Sequence, residues 1–263
     1  MTYETLTVET DTRGVVNLTL ARPEKKNAMN AQMIAELTHF AKHQGSAEDT
    51  RVVVLSGAGD MFCAGGDLGW MRDQIHADRE TRMREARKLA DMLRAMNEMR
   101  SPLIGKLHGA AFGGGIGLAS ICDSVIAEAG SKFGLTETKL GLIPATISPY
   151  VIARMGEGLA RRVFMSARIF DAQEARDLNL LTDVMDQAGL EDRVEQEILP
   201  YLSVAPNAVA SAKALARALG PRIDEDVINK TIIALADTWE GDEAQEGIDA
   251  FLNKRRPKWH QPL

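Results

Sequence analysis

The stretch Gly109-Ala110-Ala111-Phe112-Gly113-Gly114-Gly115-Ile116-Gly117-Leu118-Ala119-Ser120 decides how the chain is read. An apolar run, Pro102 to Leu107, leads into it and predicts a short buried strand. Three consecutive glycines follow, then small and apolar residues able to begin a helix. Glycines in a row allow backbone geometry and close approach that a Cβ would block. At a helix N-terminus the first N–H groups lack intrahelical partners and sit at the positive end of the dipole. Together these features make a place to hold an oxygen that is negative or about to become so. A tight strand-to-helix turn without any ligand uses the same glycines, and the triplet alone does not separate the two.

Around this stretch the composition is that of an ordinary soluble protein. The 263 residues suffice for one large domain, or one domain with a smaller appendage. Apolar residues at 45% supply a core, and a net charge of −6 gives no attraction to nucleic acid or anionic membranes. No apolar run approaches membrane-spanning length, and the acidic, polar start lacks the pattern of a signal peptide. Two cysteines, Cys63 and Cys122, exclude a disulfide framework. The expectation is a cytoplasmic protein with two core thiols.

Upstream, Leu6, Val8, Val16, Leu18 and Leu20 alternate with polar residues around Asp11–Gly14, which predicts a β-hairpin. Lys25-Lys26-Asn27-Ala28 is a basic loop, and Asn30 caps a helix with Met33, Ile34, Leu37 and Phe40 on one face. His39 and His43 are four apart on that helix, but no third ligand accompanies them, so no metal site is expected. Arg51–Leu55 predicts a buried parallel strand. Gly65-Gly66 makes a second tight turn, followed by one long helical pattern from about Leu68 to Met99.

Downstream, Ser124–Ala127 and Leu181–Met185 predict strands, Ser148-Pro149 a helix start, and Asp171 with Glu174 a capping box. After Asp186 the pattern is wholly helical, at about 188–203, 206–219, 223–239 and 242–252. Strands alternating with helices, then helices alone, imply a βα core over 1–186 and a helical appendage over 187–263.

Two glycine turns, Gly65-Gly66 and Gly113-Gly114-Gly115, offer one N–H each to a single oxygen if they converge. Glu137, between Leu135 and Leu140, stands in apolar company that would raise its pKa and suit it to proton transfer. A loop or helix-start glutamate is the other reading of that residue. The glycines fail the dinucleotide pattern, because Leu118 or Ser120 stands where its third glycine belongs. No P-loop lysine, G-x-S-x-G elbow or cysteine-rich metal site is present.

Six pieces in order carry a resemblance: Arg22-Pro23…Asn27-Ala28, Phe62–Asp67, His108–Gly115, Cys122-Asp123, Phe133-Gly134…Glu137 and Leu140–Pro144. Across essentially the whole chain the sequence resembles the crotonase superfamily of enoyl-CoA hydratases and isomerases. The resemblance implies an α/β fold, a crotonase-like spiral of ββα units with a C-terminal helical oligomerisation region forming homotrimers or homohexamers. It implies an acyl-CoA thioester as substrate and no separate cofactor or metal. The thioester carbonyl would be held by the N–H groups of Gly66 and Gly114, with Glu137 as the catalytic carboxylate. Lys25, Lys26, Ala28 and Ala64 would lie toward the adenosine and phosphate end of CoA. Gly66, Asp67, Leu68 and Gly114 would complete the CoA-binding set, and Lys254 matches a basic position that reaches the 3′-phosphate.

The chain departs from the standard two-glutamate hydratase, because the first glutamate position falls on Gly117. A single carboxylate suits a Δ3–Δ2 enoyl-CoA isomerase, which shuttles one proton. Against this, Ala110–Leu118 and Gly141–Val151 resemble bacterial methylglutaconyl-CoA hydratases, which also carry glycine there. A branched glutaconyl-type hydratase is therefore the leading expectation, with the isomerase as alternative and a non-catalytic CoA- or RNA-binding scaffold as a remote one. A glutaconyl chain would need donors for its distal carboxylate, and Arg79, Arg82, Arg84 and Arg87 are the candidates.

Overall fold

The computed structural model describes residues 2–261. The opening hairpin forms as expected, with β1 (Leu6–Thr10) antiparallel to β2 (Val15–Leu20). Asn30 then caps α1 (Ala31–Lys42) by accepting from the Met33 N–H at 2.9 Å. The run after it becomes β3 (Val52–Gly57), parallel to β2.

The long helical pattern after Asp67 is two helices, α2 (Leu68–His76) and α3 (Arg79–Glu98). Ala77 is extended, and Asp78 starts the second helix by accepting from the Thr81 N–H. A side chain able to cap outcompetes helix continuation at that point. Arg82 reaches back to the carbonyls of Gln74 and Ile75, closing the end of α2.

The glycine-rich stretch holds an element beyond the expected strand and helix. Between β4 (Leu103–Leu107) and α4 (Gly114–Ser120) lies a further strand, β5 (Ala110–Phe112). Gly109, at φ +64°, turns the chain out of one sheet and into another, and a Cβ there would stand 2.1 Å from the Asp60 carbonyl oxygen. Three residues are too few to show a strand period.

Next come β6 (Ser124–Glu128), β7 (Lys132–Gly134), a 3-10 turn at Glu137–Leu140, α5 (Ser148–Met155) and α6 (Glu157–Phe164). They are followed by β8 (Phe170–Asp171), α7 (Ala172–Asp177) and β9 (Asp183–Met185). Asp171 does cap α7, but Glu174 does not close a capping box, because its carboxylate is held by Arg168 at 2.6 Å. The remainder is α8 (Leu190–Leu202), α9 (Pro206–Leu219), α10 (Glu225–Glu240) and α11 (Asp242–Leu252).

Six strands form one sheet in the order β1-β2-β3-β4-β6-β9, parallel beyond the hairpin, and β5-β7-β8 form a second. Alternation along β3 explains why its apolar run is continuous. Val53 and Leu55 face the main core, whereas Val52 and Val54 face Leu190, Val194 and Ile198 of α8. The strand-bearing chain ends near residue 186, but the helices beyond it pack on the core. Thus α8 covers the large sheet, and α10 lies along α3, where Ile228 and Ile232 meet Ala86 and Ala90. Both cysteines are free and buried. Among the described residues no helix is long and apolar enough to cross a membrane.

Candidate active site

The two glycine turns meet because the segment before the first pairs with β5. Cys63 donates to the Ala110 carbonyl at 3.1 Å, and Phe112 donates back to Cys63 at 3.0 Å. Gly65, at φ +96°, has no room for a side chain: a Cβ would stand 2.9 Å from the Phe112 oxygen and 3.6 Å from the Gly114 nitrogen. Met29 laces the other side, donating to Gly65 and accepting from Asp67. Among the described residues the N–H groups of Gly66 and Gly114 donate to no protein acceptor. Two half-buried turns with unused donors come together here, the arrangement that a cradle for an oxygen needs.

Glu137 opens the 3-10 turn beside this cradle. Its Oε1 lies 3.0 Å from the point where a Cβ on Gly113 would sit, and its Oε2 is buried without a hydrogen-bond partner. Burial pushes the Glu137 pKa up to about 7, against a smaller lowering by its own backbone N–H. Gly66, Gly114 and Glu137 line one cavity of about 110 Å³. The rest of that lining is mostly apolar, including Met29, Leu89, Leu142, Ile147, Leu235 and Trp239. The indole Nε1 of Trp70, another lining residue, is also buried and unpartnered. A larger groove of about 840 Å³ runs beneath α9, but its charged groups are engaged, Lys213 with Asp123 and Arg154 with the Cys122 and Leu180 carbonyls.

No second carboxylate lines the smaller cavity among the described residues. A side chain at Gly117 would collide with Ile147, its Cβ standing 2.4 Å from Cγ2. The first glutamate position is thus filled from the opposite wall, by a branched apolar group.

The chain matches the enoyl-CoA hydratase/isomerase family model over residues 10–262. It belongs to that family. Enoyl-CoA hydratase AKT6-1 of Alternaria alternata is 32% identical over 255 residues, covering 94% of this chain and 82% of the relative. Solved structures agree with the fold. An enoyl-CoA hydratase from Shewanella pealeana is 36% identical with a TM-score of 0.79, covering 97% of this chain and 96% of that one. AtuE from Pseudomonas aeruginosa is 37% identical with a TM-score of 0.80, covering 98% and 100%. The crotonase-like α/β fold read from the motifs is that of these neighbours.

The other expected positions lie around the Gly66 turn, except Lys254. Lys25 ends a 3-10 turn over Pro23–Lys25, and Lys26 and Asn27 follow at φ +53° and +52°. Ala64 already donates to the Lys26 carbonyl, so only its own carbonyl is left for a ligand, and the Ala28 carbonyl accepts from Arg22. The Asp67 carboxylate caps α2 through Gly69 and Trp70 and pairs with Arg22 at 3.0 Å, which holds its pKa below the usual range against the upward pull of burial. Leu68 is exposed. Lys254 follows α11 and does not line the cavity.

None of the four candidate arginines lines the cavity either. Arg79 pairs with Asp237 and Glu240, Arg87 with Glu225, and Arg84 donates to Thr81. Arg82 caps α2 and lies over the Trp239 ring. The His39 and His43 rings stack at 4.1 Å, and no group of three potential metal ligands occurs among the described residues.

Leu235 and Trp239 were not legible as site residues. The periodic apolar face of α10 shows that they are buried, not what they are buried against.

Proposed function

We propose that this enzyme adds water across the 2,3 double bond of short 2-enoyl-CoA thioesters. The observation that carries the reading is one apolar cavity lined together by Glu137 and by Gly66 and Gly114, whose N–H groups have no protein acceptor among the described residues. The thioester carbonyl oxygen accepts from both N–H groups. Ionised Glu137 takes a proton from water as its oxygen bonds to C3, and the charge moves onto the carbonyl oxygen as an enolate. The enolate collapses as C2 takes the proton now on Glu137, so the elements of one water are added and the carboxylate is restored. At about 110 Å³ the cavity is small beside the ~300–1,000 Å³ of ordinary ligand pockets, which favours a short acyl chain.

A branched glutaconyl chain is the finer form of this reading and rests on the motif similarity. The cavity offers its distal carboxylate no cation among the described residues, and the donors on its wall are the buried, unpartnered Trp70 indole N–H and the Thr146 hydroxyl. A Δ3–Δ2 isomerase is favoured by a specific observation, the single carboxylate left by Gly117 and Ile147. Parallel assays decide between these readings. Hydration of crotonyl-CoA and 3-methylglutaconyl-CoA is expected, the latter faster if the finer reading holds. Conversion of a 3-enoyl-CoA to its 2-enoyl isomer without water addition would make the protein an isomerase. Acyl-CoA binding with no turnover would leave a scaffold.

The base must be ionised to act, so kcat/KM is expected to rise about tenfold per pH unit below about 7 and to level above it. An acid limb centred near 4 to 5 would show that another group, or a solvated Glu137, does the work.

We also infer that the helical region over 187–263 carries the contacts for a homotrimer or homohexamer. What supports this is α9, which buries no residue and exposes Leu215 and Leu219. Light scattering on the purified protein tests it, and a monomer would overturn it.

A further inference from the structure

We propose that α11 is the seat of Glu137, and that Gly247 is a positioning residue for proton transfer. The inference rests on Glu137 as the proton carrier. The Glu137 side chain makes no hydrogen bond to another residue, and Oε2 is buried without a partner. A carboxylate with nothing gripping its oxygens is placed by its backbone and by packing alone. Position therefore passes to whatever holds the turn Glu137–Leu140.

That turn is backed directly by the last helix. A Cβ on Gly247 would stand 2.5 Å from the Leu140 carbonyl carbon, 2.7 Å from its oxygen and 2.8 Å from its Cα. One residue past the turn, Gly141 has φ +68°, and a Cβ there would stand 2.3 Å from the Glu243 carbonyl carbon and 2.6 Å from the Ala244 nitrogen. Backbone thus meets backbone at two points with no side chain between. Across the turn, Thr138 Oγ1 donates to the Met165 carbonyl at 3.3 Å, so the turn is held between α11 and the end of α6. The helix is itself anchored. Ala244 and Ile248 pack with Leu142 and Trp239 of the cavity wall, and Arg255 binds Glu246 at 2.7 and 2.9 Å and Asp249 at 2.5 Å. The cavity wall and the seat of its carboxylate are one packed unit.

Gly247→Ala inserts a methyl group where neither backbone can turn aside, and the turn must move by on the order of 1 Å, enough to cost up to about 10²-fold in rate. The expected result is a kcat lowered about 10- to 100-fold with KM within about twofold. The Glu137 carboxyl, followed by NMR in glutamate-labelled protein, is expected to titrate lower than in the parent as water reaches it. Ile248→Val loosens the same anchor by one methylene and keeps the fold, so a smaller shift in the same direction is expected. Gly158→Ala, with open space around its Cβ, is the control. A folded Gly247→Ala protein with parental kcat and parental titration would overturn the proposal. So would a parental titration in Ile248→Val, should Gly247→Ala not fold. If Glu137→Gln keeps its turnover, the functional reading fails instead, and the titration still reports on the seat.

Discussion

Glu137→Gln is expected to lower turnover by about 10²- to 10⁴-fold, the usual contribution of a positioned acid–base group, while acyl-CoA still binds. The amide keeps the size of the side chain and cannot carry the proton between water and C2. Binding survives because the N–H groups of Gly66 and Gly114 and the apolar walls are untouched. Stability moves the other way. Burial raises the folded-state pKa of Glu137 above its unfolded value, so its contribution is fully present below about 4.5 and is lost as pH rises through about 7. The cost above that range is about 3 kcal/mol. At pH 8 the Gln variant is therefore expected to melt higher than the parent, and at pH 4 at about the same temperature. A dead variant that also melts lower at pH 8 would mean that the carboxylate holds the fold. An active one would remove Glu137 from the chemistry.

Gly117→Glu is the second large effect. Its Cβ alone would stand 2.4 Å from Ile147 Cγ2 and 3.0 Å from Ile147 Cβ, with Leu93 at 3.8 Å. A β-branched side chain has no flexible end to swing away. Overpacking of this kind costs about 1–3 kcal/mol, and an added buried carboxylate costs more. The single variant is expected to melt about 5–10 °C lower and to lose most of its activity. Adding Ile147→Ala opens the space that Ile147 occupies, and part of the stability is expected to return. If one carboxylate limits hydration, the double variant is also expected to hydrate crotonyl-CoA faster than Ile147→Ala alone. Equal rates for those two proteins would mean that the single carboxylate is sufficient. A Gly117→Glu protein as stable as the parent would show that Ile147 yields, and that the glycine is not held by packing.

Both effects turn on contacts that sequence reading reaches only in part. Asn30, Asp171 and the hairpin around Asp11–Gly14 are local devices, in which a side chain meets a backbone group a few residues away, and each was legible. The break at Asp78 is equally local, but the helical pattern on both sides masked it. By contrast, β5 is three residues long, and its pairing with Cys63 and with β7 is made entirely across the chain.

Residue types alone define the makeup of the site: two glycine turns with no Cβ to block an oxygen, a glutamate in apolar company, and no carboxylate at position 117. The family resemblance is carried by six short motifs taken in order, and the family model matches residues 10–262. Tertiary structure decided that the two turns share one cavity, that Ile147 fills the space beside Gly117, and that α10 and α11 return to wall the cavity and back the Glu137 turn. The reason is physical. A periodic apolar face specifies that a helix is buried, whereas its partner is chosen by shape over the whole fold, among contacts far apart in the chain.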